Sequence, residues 1–390
     1  MRRELWGCML ALCLLFGARA GAEETQPVSL GYHDGLSLRA GPVSLTVNAA
    51  VQARYQAAIV PAPTDNRSGF DLHHAQLALD AEVLGFISVE AMFDFGAQYT
   101  AQGGAATVRD LYLEVRPLAW LTVRAGQFKV PFSRQRLVSA LDQSFTDRAL
   151  ATLAFTFDRD LGGLVQALLW RKRLRLELAI TDGVDAGPAV QNDNLDLAYT
   201  ARVTIAPLGP LPLVEGDRAR TRPPRFSLGG AIHYDLAPTD ALPPFDDLDH
   251  NGRIDNVGVI SVDAEAKVAW RGLALEGEYF FRQEEPGFGR ANRNFHGGYG
   301  QLSAMAWRGL ELGARASYAE LPALGRPAVG VIGDKPESAL EVGGVVNYYF
   351  WREACKAQLS YTYRDDTAAD PFDTRRRSGH LIAVQLQAGF

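Results

Sequence analysis

From residue 43 to the end of the chain, apolar and polar side chains alternate one by one in segments of about ten residues. In VSLTVNAAVQARYQ, 43 to 56, Leu45, Val47, Ala49, Val51, Ala53 and Tyr55 share one parity, and Thr46, Asn48, Gln52 and Arg54 share the other. In VISVDAEAKVAW, Val262, Ala264, Ala266, Val268 and Trp270 are uncharged, while Asp263, Glu265 and Lys267 all fall on the opposite parity. A period of two belongs to β-strands, whose successive side chains point to opposite faces. A soluble sandwich also uses short alternating strands. The absence of charge from one parity argues for lipid, where Arg or Lys at the midplane costs roughly 2 to 4 kcal/mol.

The connections alternate too. AQLALDAEV meets ISVEAMFDF across only Leu84-Gly85-Phe86, and RDLYLEVR meets LTVRAGQFKV across Pro117-Leu118-Ala119-Trp120. Further tight joints are Arg171-Lys172-Arg173, WRG at 270 to 272, WRG at 307 to 309 and WRE at 351 to 353. Between them fall long links near 57–70, 96–107, 131–160, 182–194, 236–257, 283–297, 320–338 and 365–378. This pattern predicts an all-β fold: a transmembrane antiparallel β-barrel of about 16 strands, with long extracellular loops and short periplasmic turns. Trp270, Trp307 and Trp351 recur at the same kind of turn, as an interfacial aromatic girdle requires. One link breaks the rule: PLGPLPLVEGDRARTRPP, 207 to 224, is long where a short turn is due. Either that turn carries an insertion or the strand count near it is off by two.

The last stretch, SGHLIAVQLQAGF, puts Ile382, Val384, Leu386, Ala388 and Phe390 on one face. It resembles the closing strand of bacterial outer-membrane barrels, in which a C-terminal Phe is the assembly signal. The resemblance implies the barrel-assembly machinery and outer-membrane lipid as partners. At the other end, Arg2 and Arg3, an apolar run from Leu5 to Phe16, and Ala18-Arg19-Ala20 have the order of a secretory signal peptide. The expected organisation is a signal peptide at 1–22, a short periplasmic segment at 23–42, and a barrel over 43–390 in which 131–160 folds inward as a constriction. Loss of residues 1–22 removes three Arg and one Glu, so the net charge moves from −6 to −8. An exported acidic chain is a poor nucleic-acid partner. Only Cys355 remains of three cysteines, which excludes a disulfide framework.

Three stretches, GYHDGLSLRAG (31–41), AGQFKVPFSRQ (125–135) and the Asp147-Arg148 region, resemble the phosphate-selective porin O and P family over nearly the whole mature chain. The resemblance implies sixteen strands, a homotrimer, and a third extracellular loop, here 131–160, that folds in to narrow the pore. It also implies an arginine ladder with a central lysine. By parity the wall candidates are Arg54, Arg116, Arg124, Arg175, Arg202, Lys267, Arg282, Arg315, Lys356 and Arg364; the folded-in loop adds Arg134, Arg136, Arg148 and Arg159. Lys129 lies on the outer parity and serves the pore only if GQFKVPF bends inward near Pro131. The same parity places fifteen acids, among them Asp263, Glu265 and Glu278, inside. An anion path therefore needs the two signs to segregate, or the bases merely pair across the lumen.

Asp247, Asp249, Asn251 and Asp255, with Gly252 between, match the first part of a calcium loop, but Gly258 stands where a bidentate Glu is wanted. A weak structural calcium site or a solvated turn are the two readings; no other cofactor is expected. The chain lacks GxSxG and HExxH, and its seven histidines are scattered, so no enzyme is expected. The expected function is a porin for passive diffusion of small hydrophilic solutes, with anions such as phosphate favoured. The second reading is a structural or ligand-binding barrel with a plugged lumen.

Overall fold

The computed structural model describes residues 29–32, 35–59, 66–96, 106–183, 196–238, 256–285, 291–321, 337–351, 353–367 and 378–390. Sixteen strands form one closed antiparallel sheet: β3 (Val43–Ile59), β4 (Arg67–Val83), β5 (Ile87–Asp94), β6 (Thr107–Leu118), β7 (Leu121–Lys129), β8 (Arg159–Leu169), β9 (Leu174–Thr181), β10 (Ala198–Ile205), β11 (Arg225–Pro238), β12 (Asn256–Trp270), β13 (Leu273–Glu285), β14 (Arg293–Trp307), β15 (Leu310–Leu321), β16 (Glu337–Trp351), β17 (Cys355–Thr367) and β18 (Gly379–Gly389). Each pairs with the next, and β18 pairs with β3, setting Val384 against Tyr55 and Gln387 against Gln52. The seam ends in reciprocal backbone bonds: Phe390 N–H donates to Ala49 O at 2.9 Å and Ala49 N–H donates to Phe390 O at 3.2 Å. Closure leaves no edge, the one arrangement of strands that satisfies every backbone group in lipid.

Residues before the barrel form a hairpin, β1 (Ser29–Tyr32) and β2 (Leu36–Ala40), and β2 pairs with Val43–Val47 of β3, below the end of β18. The segment expected at 23–42 thus extends the sheet; residues 1–28 lie outside the described residues.

The faces follow the predicted parity. On β18, Ile382, Val384 and Leu386 are exposed while Ala383, Gln385 and Gln387 are buried. On β12, Val262, Val268 and Trp270 face out, and Asp263, Glu265 and Lys267 face in. Trp120, Trp170, Trp270, Trp307 and Trp351 are all exposed and all sit at short turns, making a tryptophan belt at that end. Several of these turns need left-handed backbone: Arg271 and Gly272 both have positive φ, 52° and 93°, as a two-residue hairpin turn of the primed type requires.

The doubt about 207–224 resolves in favour of an insertion. β10 keeps unbroken register with β9 through Ile205, and β11 with β12 from Arg225, so the strand count holds. The link between them is instead an added segment that turns up into the barrel.

Candidate functional site

Two segments fill the lumen. The first, 130–158, leaves the wall where β7 ends at Lys129 and Pro131 interrupts strand pairing. Ser133 takes a left-handed φ of 68° and caps α1 (Arg134–Leu137), its Oγ accepting from Arg136 N–H at 3.2 Å. A short 3-10 turn at Ala140–Asp142 and a second helix, α2 (Leu150–Phe155), follow.

An apolar cluster holds this segment to one wall. Phe132, Leu150, Ala151 and Phe155 pack on Phe280, Phe295 and Tyr299 of β13 and β14, and Phe155 stacks on Phe280 with ring centroids 5.9 Å apart. At Gly297 a Cβ would lie 2.5 Å from Phe155 Cε2, so a side chain there would expel the helix. Polar contacts extend the attachment across β13 to β17. Gln135 N–H donates to Glu278 at 2.6 Å, Ser144 Oγ to Glu311 at 3.1 Å, Asn347 Nδ2 to Ser144 O at 2.7 Å and Lys356 Nζ to Gln143 O at 2.7 Å.

The second segment, 206–224, meets the first from the opposite end. Glu215, 2% exposed, accepts from Gln135 Nε2 and Ser144 N–H at 2.7 Å each and from Gln301 Nε2 at 3.1 Å. Val214 O accepts from Lys267 and Arg134, and Arg218 bridges Asp142 and Glu353.

Because both segments lie against β11 to β17, open space remains on the other side, along β4 to β9. There a cavity of about 260 Å³ is lined by six cations, Arg109, Arg124, Lys129, Arg148, Arg159 and Arg175, against three carboxylates, Glu90, Asp110 and Glu177. Each of those acids already has a partner. Glu90 accepts from Tyr112 OH, Asp110 from Arg159 at 2.9 Å, and Glu177 from Arg202 at 2.7 Å. Lys129 Nζ donates to the carbonyls of Leu137 and Val138 at 3.0 and 3.1 Å, and Arg175 makes no salt bridge among the described residues. Arg124 pairs with Glu114 at 2.7 Å and lies 4.0 Å over the Tyr112 ring. Arg148 donates to Val138 O at 3.0 Å. The cavity's charge is therefore net positive, while Asp263, Glu265, Glu276, Glu278 and Glu311 are buried on the far wall beneath the two segments.

Four of the eight residues singled out from the sequence, Arg124, Lys129, Arg148 and Arg159, line this cavity. The outer parity of Lys129 misplaces it: its side chain reaches into the lumen, because the strand ends there and the chain turns in before Pro131. The other four do not line the cavity. Arg54 bridges Asp71 and Asp147 at 2.9 and 3.1 Å, and Arg116 pairs with Glu114 and Glu82 near the short turn. Arg134, buried, donates to Pro212 O at 2.7 Å and ties the two segments together. Arg136 donates to Thr156 Oγ1 at 2.9 Å.

Arg109 went unnoticed in the sequence. It has the outward parity of Leu111 and Leu113, but a bulge where Val108 and Asp110 pair with Phe93 and Met92 leaves it as the extra residue. It joins Arg159 and Arg136 around Asp158. Burial pushes the Asp158 carboxyl up, but Arg159, Arg136 and Arg109 outweigh it and hold it well below the usual carboxylate range. Asp247, Asp249, Asn251 and Asp255 lie outside the described residues.

A barrel of sixteen strands with an inward segment and a basic cavity narrows the comparison to porins, and the sequence decides it. Residues 45–390 match the family described as phosphate-selective porin O and P. The chain belongs to that family. It is a porin, a channel protein of the outer membrane rather than an enzyme fold. Solved structures agree on the fold. The outer-membrane expressed OmpT of Vibrio cholerae is 10% identical with a TM-score of 0.61, covering 91% of this porin and 100% of that chain. The anion-selective porin from Comamonas acidovorans is 12% identical with a TM-score of 0.60, covering 89% and 100%. A trimer form of in-vitro folded OmpT is 12% identical with a TM-score of 0.57, covering 89% and 99%. No curated protein sequence matches the porin.

Proposed function

We propose that the porin passes small anions, inorganic phosphate among them, through the cavity between the 130–158 segment and strands β4 to β9. One observation carries this reading: the cavity's acids are each engaged, while Lys129 and Arg175 line the open space and pair with no carboxylate among the described residues. Such groups replace part of an anion's hydration shell and raise its local concentration. Arg124, Arg148 and Arg159 line the same path; Arg54, Arg116, Arg134 and Arg136 act as struts that hold the wall and the inward segment. No catalytic step and no cofactor enter.

A homotrimer is part of the proposal, supported by the trimer form of the structurally similar OmpT. Outer-membrane lipid, and the assembly machinery acting on the Phe390 strand, complete the expected partners. The 206–224 link favours a second reading, a barrel held closed until that link moves, because Glu215 clamps it to the constriction. Proteoliposome uptake separates the two. The anion reading expects phosphate to enter faster than a cation of similar size such as choline; uptake of neither supports the closed barrel, and faster choline entry overturns the anion reading.

A further inference from the structure

We propose that Asp263, Glu265 and Glu278 bind a divalent cation of the calcium class at the seam between the barrel wall and the constriction segment. The three lie on adjacent strands, β12 and β13, and all turn inward. Glu265 and Glu278 stand directly opposite each other in the register, a placement that repels when both are charged. Asp263 is two residues along on the same face. Their exposures are 2% for Asp263, 5% for Glu265 and 4% for Glu278, so water does little to screen them.

The hydrogen bonds show which oxygens are occupied. Glu278 Oε1 accepts from Gln135 N–H at 2.6 Å and from Tyr299 OH at 2.8 Å. Glu265 Oε1 accepts from Arg202 at 2.7 Å, and Arg202 is shared with Glu177 at 2.7 Å. Ser133 faces the cluster, its backbone N–H toward Asp263 and its hydroxyl toward Glu278, yet among the described residues Glu278 Oε2, Glu265 Oε2 and the oxygens of Asp263, all fully buried, lack a hydrogen bond of good geometry. Buried acceptors are normally satisfied, so three carboxylates that share one guanidinium and one serine and still have oxygens left over point to a ligand that supplies positive charge.

The geometry suits a hard cation. One oxygen from each carboxylate lies within 4.8 Å of the others. Calcium takes oxygen ligands at about 2.3 to 2.6 Å, so two ligands on opposite sides of the ion stand close to 4.8 Å apart. With oxygen donors alone and no His or Cys in the cluster, the set fits calcium or magnesium rather than zinc or copper. Gly229 supplies the room: a Cβ there would lie 2.6 Å from Glu265 Oε1 and displace the carboxylate. Through Glu278 and Gln135 the ion would also fix the start of α1, where Ser133 holds a left-handed backbone.

The test is calorimetric titration of the full-length refolded porin with calcium chloride after EDTA treatment, together with thermal unfolding in either condition. The wild type is expected to show saturable binding and a higher Tm in calcium. Asp263→Asn removes a repelling charge, so it should unfold in EDTA no earlier than the wild type while losing both calcium responses, as should Glu278→Gln. A double variant Asp247→Asn, Asp249→Asn in the 247–255 stretch should keep them. Absence of saturable binding by the wild type, retention of it by Asp263→Asn, or its loss only in the double variant would each overturn the site. So would a Tm raised by acid and indifferent to calcium, which would mean that protons neutralise the cluster.

Discussion

The side-chain amide of Gln135 donates to Glu215 Oε1 at 2.7 Å, joining the segment that enters the barrel from the extracellular end to the link that enters from the periplasmic end. Glu215 also accepts from Ser144 N–H and Gln301, so its carboxylate is the most connected of the ties between the two intrusions, beside those made by Arg134 and Arg218. Glu215→Ala leaves three donors without their acceptor, each costing about 1 to 3 kcal/mol when buried. The link, then held to the constriction by Arg134 and Arg218, should loosen against it, raising single-channel conductance and current noise in planar bilayers. Unchanged conductance with a lowered Tm would mean that the link supports the barrel without limiting flow.

Asp158 predicts how the constriction responds to acid. Its folded carboxyl is held below the ordinary value by Arg159, Arg136 and Arg109 against the effect of burial. A depressed carboxyl contributes stability that is fully present above the unfolded value, about 3.9, and lost only as pH falls through the lower folded one. Thermal stability should therefore show no loss traceable to Asp158 between neutral pH and that unfolded value. Asp158→Asn should remove the contribution at neutral pH and leave three guanidiniums without their shared acid. Denaturation midpoints measured from pH 7 to 4 check this; a gap between wild type and variant that closes well above the unfolded value would contradict it.

The barrel was legible because lipid forbids charge on one face, so parity in strands such as VISVDAEAKVAW carries over directly into the wall. Turn lengths supplied the count and flagged 207–224 as anomalous, but length says nothing about where a link goes; contacts such as those of Glu215 and Arg134 reveal that it enters the lumen. Parity failed where the strand itself departs from regularity. Arg109 sits at a bulge and Lys129 at a strand end, and both reach the cavity from positions that count as outward. The apolar cluster of Phe155, Phe280 and Phe295 was hidden for another reason. Phe280 and Phe281 are adjacent, so both faces of β13 read as apolar there, and contact with a segment 125 residues away in sequence decides which one packs. Arg54 and Arg116 were on the right face, but their carboxylate partners are set by register and not by composition.

Phe390 closes the seam through backbone bonds to Ala49 that any residue could make, while its ring is exposed at the end of β18. Phe390→Ala should therefore leave the folded barrel nearly as stable once formed, losing little more than the partial burial of one ring. Its effect should fall on assembly, as a clear drop in the heat-modifiable folded fraction recovered from outer membranes, with in-vitro refolding little changed. Equal recovery of variant and wild type would place the assembly signal elsewhere in the strand.

The measurement that bears most directly on the anion path is the zero-current potential of the purified porin in planar bilayers under a potassium chloride gradient, at low ionic strength where charges are least screened. The wild type should be anion-selective. Lys129→Gln and Arg175→Gln should each weaken that preference by about 1 kcal/mol, near five-fold in permeability ratio for a unit charge in a wet lumen. Arg116→Gln, outside the cavity, should leave it unchanged. A cation-selective wild type, or selectivity indifferent to both Lys129 and Arg175, would contradict an anion pathway through this cavity.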